Sequence, residues 1–152
     1  MDRISEGDLI FGTRSSTIAT PVERTSRFVM LVHLPGSHTA DVVADALAET
    51  IATLPEQLRR SLTWDQGREM AEHARFSVAT GVPIYFCDPH SPWQRGSNEN
   101  TNGLLRQYFP RSTDFRALTQ SALDTVAAEL NDRPRQTLGW KSPCQALDQA
   151  LR

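Results

Sequence analysis

Ser61-Leu62-Thr63-Trp64-Asp65-Gln66-Gly67 reads as a short β-strand that stops on an acid followed by turn residues. Upstream, from about Thr39, Val43, Leu47, Ile51 and Leu54 recur every three or four residues and predict a helix with one buried face, ending at Pro55. Downstream, Glu69 to Thr80 reads as a helix closed by Gly81, and Pro83 to Cys87 as a second short strand. The stretch therefore opens two βα units that follow a crossover helix.

Farther upstream, Gly7 to Gly12, Ile18 to Val22 and Phe28 to Leu34 read as three strands, with Glu23 to Arg27 a polar turn between the second and third. They suit an antiparallel meander. After a Pro-, Gly- and Ser-rich loop from Asp88 to Ser97, Asn98 to Phe109 and Leu118 to Asn131 read as helices, the second stopped before Pro134. Ser142 and Pro143 are the residue types expected at the cap and first position of a last helix reaching Leu151. No internal repeat or low-complexity segment is visible. This order implies an α/β ribonuclease H-like fold: a mixed five-stranded sheet, three antiparallel strands then two βα units, flanked by helices. Fold alone does not dictate function.

Composition narrows the class. At 152 residues, with 39% hydrophobic and 22% charged residues, the chain suits one globular domain with a sizeable core. The longest aliphatic-aromatic run, Phe28 to Val32, is far too short to span a membrane, and no secretory leader pattern opens the chain, so a cytoplasmic location is expected. Cys87 and Cys144 lack the spacing of a disulfide framework or a zinc site. A net charge of −2 argues against a strongly basic nucleic-acid-binding module. Only Lys141 among the 16 basic residues is lysine, and Arg95, Arg106, Arg111, Arg133 and Arg135 flank one segment. Arginine suits phosphate because its planar fork binds two oxygens at once, although a base-composition bias is the simpler explanation of the overall ratio.

Three acids carry candidate chemistry. Asp8 sits inside the first strand, Asp65 ends the fourth, and Glu99 falls in the first turn of its helix, where the macrodipole favours the ionised form. Carboxyl ends of strands are where open α/β sheets place ligands. Three hard oxygen donors suit a pair of Mg2+ or Mn2+ ions, which leave coordination positions for water and phosphate oxygens. Each acid has a competing reading. Asp8, costly in an apolar strand unless paired, can form a salt bridge with Arg24 or Arg27; Asp65 can be a turn residue; Glu99 can be an ordinary first-turn acid.

The surrounding stretches settle the choice by resemblance. Leu62-Thr63-Trp64-Asp65-Gln66-Gly67-Arg68-Glu69-Met70 and the run from Tyr85 through Pro92-Trp93-Gln94-Arg95-Gly96-Ser97-Asn98-Glu99-Asn100-Thr101-Asn102-Gly103 to Leu104 resemble the catalytic core of DDE transposases of bacterial insertion sequences. The resemblance is to the insertion sequence thirty family, which belongs with retroviral-type integrase cores. Glu6-Gly7-Asp8-Leu9-Ile10 and Leu130-Asn131-Asp132-Arg133-Pro134-Arg135 also resemble it, so nearly the whole chain is covered. The 33 residues between Asp65 and Glu99 equal the gap that family shows. The resemblance implies that Asp8, Asp65 and Glu99 are catalytic metal ligands. It also implies two divalent ions, transposon ends and target DNA as partners, a homo-oligomer in the active complex, no membrane, and action at the nucleoid. The implied reaction is phosphodiester hydrolysis, after which the freed 3′-hydroxyl attacks target DNA; no nucleophilic Ser or Tyr is required.

Asn98, Asn102 and Arg106 share a helical stripe that passes close to DNA if Glu99 faces the metals, and Arg95 and Arg106 can hold phosphates; a solvated helix face is the alternative. Leu105, Tyr108 and Phe109 suit the core. Trp64 and Trp93 suit packing more than base stacking, and His90 after Cys87 is too small a fragment for a metal site. Ser5 stands where the family has tryptophan, which predicts looser packing behind the first strand. Related transposases carry helix-turn-helix regions upstream, whereas Met1 lies seven residues before Asp8. A catalytic core from 1 to 152, with C-terminal helices from about 115 and without that targeting region, is expected. Two other functions stay open: an inactive or regulatory remnant that binds a partner transposase, and a non-transposing ribonuclease H-like nuclease.

Overall fold

Leu9 and Ile10 are neighbours in sequence, yet their side chains enter different cores, because successive residues of a strand point to opposite faces. A computed structural model describes residues 4–7, 9–34, 40–52, 61–64, 84–86 and 96–151. Its strands are β1 (Ile4–Gly7), β2 (Leu9–Phe11), β3 (Thr17–Ala19), β4 (Val22–Glu23), β5 (Val32–Leu34), β6 (Ser61–Trp64) and β7 (Ile84–Phe86). The described helices are α1 (Ala40–Ala52), α2 (Gly96–Tyr108), α3 (Gln120–Asn131) and α4 (Pro143–Ala150).

The strands hydrogen-bond in two sets, β4-β1-β6-β7 and β2-β3-β5. Only residue 8 separates β1 from β2 in sequence, and only Thr20 and Pro21 separate β3 from β4. By chain segment the lateral order is thus 32–34, 17–23, 4–11, 61–64, 84–86, the mixed five-segment arrangement expected from the sequence. The first three segments pair antiparallel. β1 with β6 and β6 with β7 pair parallel.

Local differences have physical causes. The second and third strands are shorter than expected because Pro21 has no N–H for the ladder; it only accepts, from Met30 N at 2.9 Å, and Val29 keeps a single bridge to Val22. The first strand begins earlier than expected, at Ile4, paired on both sides. α2 starts two residues earlier than expected, at Gly96. The helix expected over Glu69 to Thr80 lies outside the described residues.

One face of the sheet, with Leu9, Ala19, Val32 and Leu34, packs on Val43, Ala44, Leu47 and Ile51 of α1. The other face, with Ile10, Ile18, Val22, Val29 and Leu31, packs on Leu105 and Phe109 of α2, Phe115, and Leu123, Ala127 and Leu130 of α3. Phe109 and Phe115 meet edge to face, their ring centres 5.4 Å apart. α4 opens with a complete capping box: the Ser142 hydroxyl accepts from Gln145 N at 3.1 Å, and Ser142 N donates to Gln145 Oε1 at 2.9 Å. The cap and Pro143 hold the places the sequence assigns them.

Candidate active site

Four consecutive pairs, Ile4 with Ser61, Ser5 with Leu62, Glu6 with Thr63 and Gly7 with Trp64, set β1 and β6 side by side in parallel. Both strands therefore end together. In sequence Asp8 follows Gly7 and Asp65 follows Trp64; the two aspartates themselves lie outside the described residues, as do Arg95, Cys87, His90 and Trp93.

α2 packs against β1 and β4. It carries Asn98 and Glu99 in its first turn; their backbone is described and their side chains are not. Burial of Thr101, Leu105 and Phe109 fixes the rotation of this helix, leaving Asn100, Gly103 and Gln107 exposed. A Cβ added at Gly103 would meet nothing within 4 Å among the described residues, and Gly103 is exposed.

Two further side chains tie α2 to the sheet. Thr20, fully buried at the junction of β3 and β4, donates its hydroxyl to Asn102 Oδ1 at 3.1 Å. Arg106 donates from Nη2 to Phe11 O at 3.1 Å and from Nη1 to Phe109 O at 3.4 Å, so one guanidinium joins the end of β2 to the carbonyl end of α2. Burial, and secondarily repulsion from Arg111, lowers the pKa of Arg106. Asn102 and Arg106 are both half-buried, and these contacts orient the helix that bears Glu99.

Several polar anchors were not singled out in the sequence. Glu23 is buried and accepts from Ser26 N at 2.8 Å and Ser26 Oγ at 3.2 Å, which closes the turn after β4. His33, patternless in sequence, lies 3.1 Å from Phe115 O through Nε2. Leu105 and Phe109 are buried as expected, whereas Tyr108 is half-buried and its hydroxyl accepts from Arg133. Among the described residues no group of three or more His, Cys, Asp or Glu is placed to hold a metal. No helix among them is long and apolar enough to cross a membrane.

Residues 1–92 match the family model of the integrase core domain. Over 146 residues the chain is 53% identical to the transposase InsI for insertion sequence element IS30A of Escherichia coli K12, covering 96% of this chain and 38% of that protein. It is 54% identical over 147 residues to the transposase for insertion sequence element IS1086 of Cupriavidus metallidurans, covering 96% and 43% respectively. The chain thus spans about two-fifths of the length of these curated relatives. Among solved structures, the catalytic core domain of BIV integrase is similar with a TM-score of 0.69 at 20% identity, over 97% of this chain and 95% of that one. A chain of the simian T-cell lymphotropic virus intasome in complex with PP2A regulatory subunit B56 gamma is similar with a TM-score of 0.74 at 22% identity, over 95% and 54%. At those identities the likeness is one of fold, and it agrees with the ribonuclease H-like architecture. With the sheet order, the parallel β1–β6 pair and the match over residues 1–92 in hand, the chain belongs to the integrase core domain family and is kin to the IS30-type transposases.

Proposed function

We propose that this chain is the catalytic core of a DNA transposase, performing phosphodiester hydrolysis and strand transfer with Asp8, Asp65 and Glu99 as its catalytic metal ligands. One observation carries the reading: β1 and β6 end in register at Gly7 and Trp64, each followed in sequence by an aspartate, and the helix bearing Glu99 packs on β1. Asp8 and Asp65 are thus the next residues in sequence after two strand ends that pair side by side.

The donor set fits divalent metal by its chemistry. Three carboxylates are hard oxygen ligands that suit Mg2+ or Mn2+, and no thiolate or imidazole is needed. When bound, a pair of such ions supplies Lewis-acid activation for in-line displacement at phosphorus. The chain's own part is to hold three negative groups, with Glu99 in the first turn of α2, where the helix dipole favours an acid. Arg95, Asn98, Asn102 and Arg106 serve the DNA side of the site, and the hydrogen bonds that tie Asn102 and Arg106 to the sheet limit how far α2 can shift.

The partners in this reading are transposon ends and target DNA. Two ends must be joined, so the working complex is a homo-oligomer, and it acts at the nucleoid. Residues 1–152 work as one body, supported by a core in which strand residues Ile10 and Ile18 share contacts with Leu123 and Leu130 of α3.

The test is cleavage of duplex DNA by the purified chain with Mg2+ or Mn2+. Wild-type protein should nick DNA only with metal, and Asp65→Asn or Glu99→Gln should abolish nicking. Nicking that survives either change would sink the assignment. An RNA–DNA hybrid assayed in parallel separates transposase chemistry from a hybrid-specific nuclease.

A further inference from the structure

We propose that the loop from Arg135 to Lys141 is a stacking element for DNA, in which the indole of Trp140 lies against an unpaired base. The choice of DNA as the polymer rests on the transposase reading, and the element itself rests on the geometry of the loop.

The loop is closed by its own backbone. The Arg135 carbonyl accepts from Leu138 N at 3.0 Å and from Trp140 N at 2.8 Å, and Arg135 N donates to Lys141 O at 3.0 Å. Gly139 N donates to Gln136 O at 3.1 Å, and Lys141 N to Leu138 O at 3.3 Å. The next residue, Ser142, is buried and caps α4, which packs on α3. The loop therefore has a fixed base as well as a fixed shape.

That shape holds Trp140 where tryptophan is disfavoured. Gly139 and Trp140 both have left-handed backbone, with φ 63° and 69°. Glycine takes this conformation freely, whereas in any other residue it brings Cβ too close to the following carbonyl oxygen. Burial of the ring would offset that strain. Trp140 is instead 67% exposed, and the only other exposed large apolar side chain among the described residues is Phe11, at 44%. A strained aromatic that the core does not use points to a contact outside the chain.

The surroundings select the partner. A protein interface sets its aromatic anchors inside a wider apolar patch, but the residues beside this indole in sequence, Gln136, Thr137, Gly139 and Lys141, are exposed and polar or small. From 133 to 147 the chain carries Arg133, Arg135 and Lys141 and no acid. An isolated aromatic among cations suits single-stranded nucleic acid, because every base offers a π-face and the backbone offers phosphates. A rigid loop also loses little freedom on binding. Base faces are hidden inside a duplex, so the element selects DNA with unpaired nucleotides, such as a frayed or tailed end.

The experiment measures binding of the full chain, in EDTA, to a fluorescent DNA hairpin carrying a single-stranded thymidine tail and to the same hairpin without the tail. Wild-type protein should prefer the tailed hairpin by about tenfold, and its indole emission should be quenched on binding it. Trp140→Gly should erase the preference. Trp140→Phe should keep most of the preference and lose most of the quenching. Glycine takes φ 69° without strain, so Trp140→Gly should melt near the wild-type temperature, and a lost preference is then not lost folding. Trp140→Asn, which also tolerates left-handed backbone, is the second variant and should behave as Trp140→Gly does. Equal affinity of the wild-type chain for the two hairpins, or an unchanged preference in either folded variant, overturns the proposal. An unchanged preference with a smaller oligomer in Trp140→Gly also overturns it, and reassigns the indole to a contact between copies of the chain. Glu99-dependent nicking without a tail preference removes the stacking element alone, whereas a Trp140-dependent preference without any nicking removes the transposase reading alone.

Discussion

The carboxamide of Asn131 bonds both backbone groups of Val29: Nδ2 donates to Val29 O at 2.9 Å, and Val29 N donates to Oδ1 at 2.9 Å. Gln120, at the other end of α3, repeats the device. Its Nε2 donates to Leu31 O at 2.6 Å, and its Oε1 accepts from His33 N at 2.8 Å. Two side-chain amides thus occupy the outer edge of the segment that includes β5, where a further strand would otherwise pair.

Asn131→Ala should therefore destabilise the chain by about 2–4 kcal/mol, because it orphans a buried N–H and a buried C=O together. Urea unfolding of the purified chain measures this. Gln120 is exposed, so Gln120→Ala should cost clearly less. A loss below about 0.5 kcal/mol for Asn131→Ala would contradict the pairing.

Gly12 is required by close approach. A Cβ there would stand 2.1 Å from Thr113 O, 2.8 Å from Ser16 Oγ and 2.9 Å from Phe115 Cδ2, where Thr13 N donates to that same carbonyl at 2.8 Å. Gly12→Ala should cost at least about 2 kcal/mol, read as a lowered melting temperature. Unchanged melting would mean that the loop from Thr113 to Phe115 is not held against β2.

Gly103 makes the opposite case. Nothing lies near its added Cβ, it is exposed, and it sits inside α2. Gly103→Ala should stabilise the chain by about 0.8–1 kcal/mol, the ordinary difference between glycine and alanine in a helix. Calorimetric melting is the check, and a drop in melting temperature would show that the helix face is covered.

Asp114 is held at about 2, first by side-chain hydrogen bonds from Arg116, whose Nε and Nη2 reach its oxygens at 3.0 and 2.8 Å. The folded value lies below the ordinary carboxylate value. Its contribution to stability is therefore complete above that ordinary value and is lost as pH falls toward and through about 2. Arg116→Gln should raise the Asp114 titration midpoint toward the ordinary value, followed by carboxyl NMR. A midpoint that stays near 2 would assign the depression to another cause.

Much of the architecture was legible because local rules and burial agree. Val43, Leu47 and Ile51 recur every four residues and are buried as that spacing requires. Ser142 and Pro143 stand where helix-capping chemistry puts them. The candidate acids were legible for another reason: Asp65 and Glu99 lie in long runs of characteristic residues that resemble one family. Residue types alone left Asn102 and Arg106 undecided between DNA and a solvated surface. Their partners, Thr20 and Phe11, are distant in sequence, and only the packed chain reveals them.

By itself, then, the sequence determined the order of strands and helices, the three candidate carboxylates and the kinship they imply, since each depends on local periodicity or on contiguous runs. Tertiary structure alone decided that β1 and β6 end in register, that Asn131 seals the backbone of Val29, and that Thr20 bonds Asn102. Those relations join residues up to about a hundred positions apart. They follow from which apolar faces pack together, and no local pattern encodes that choice.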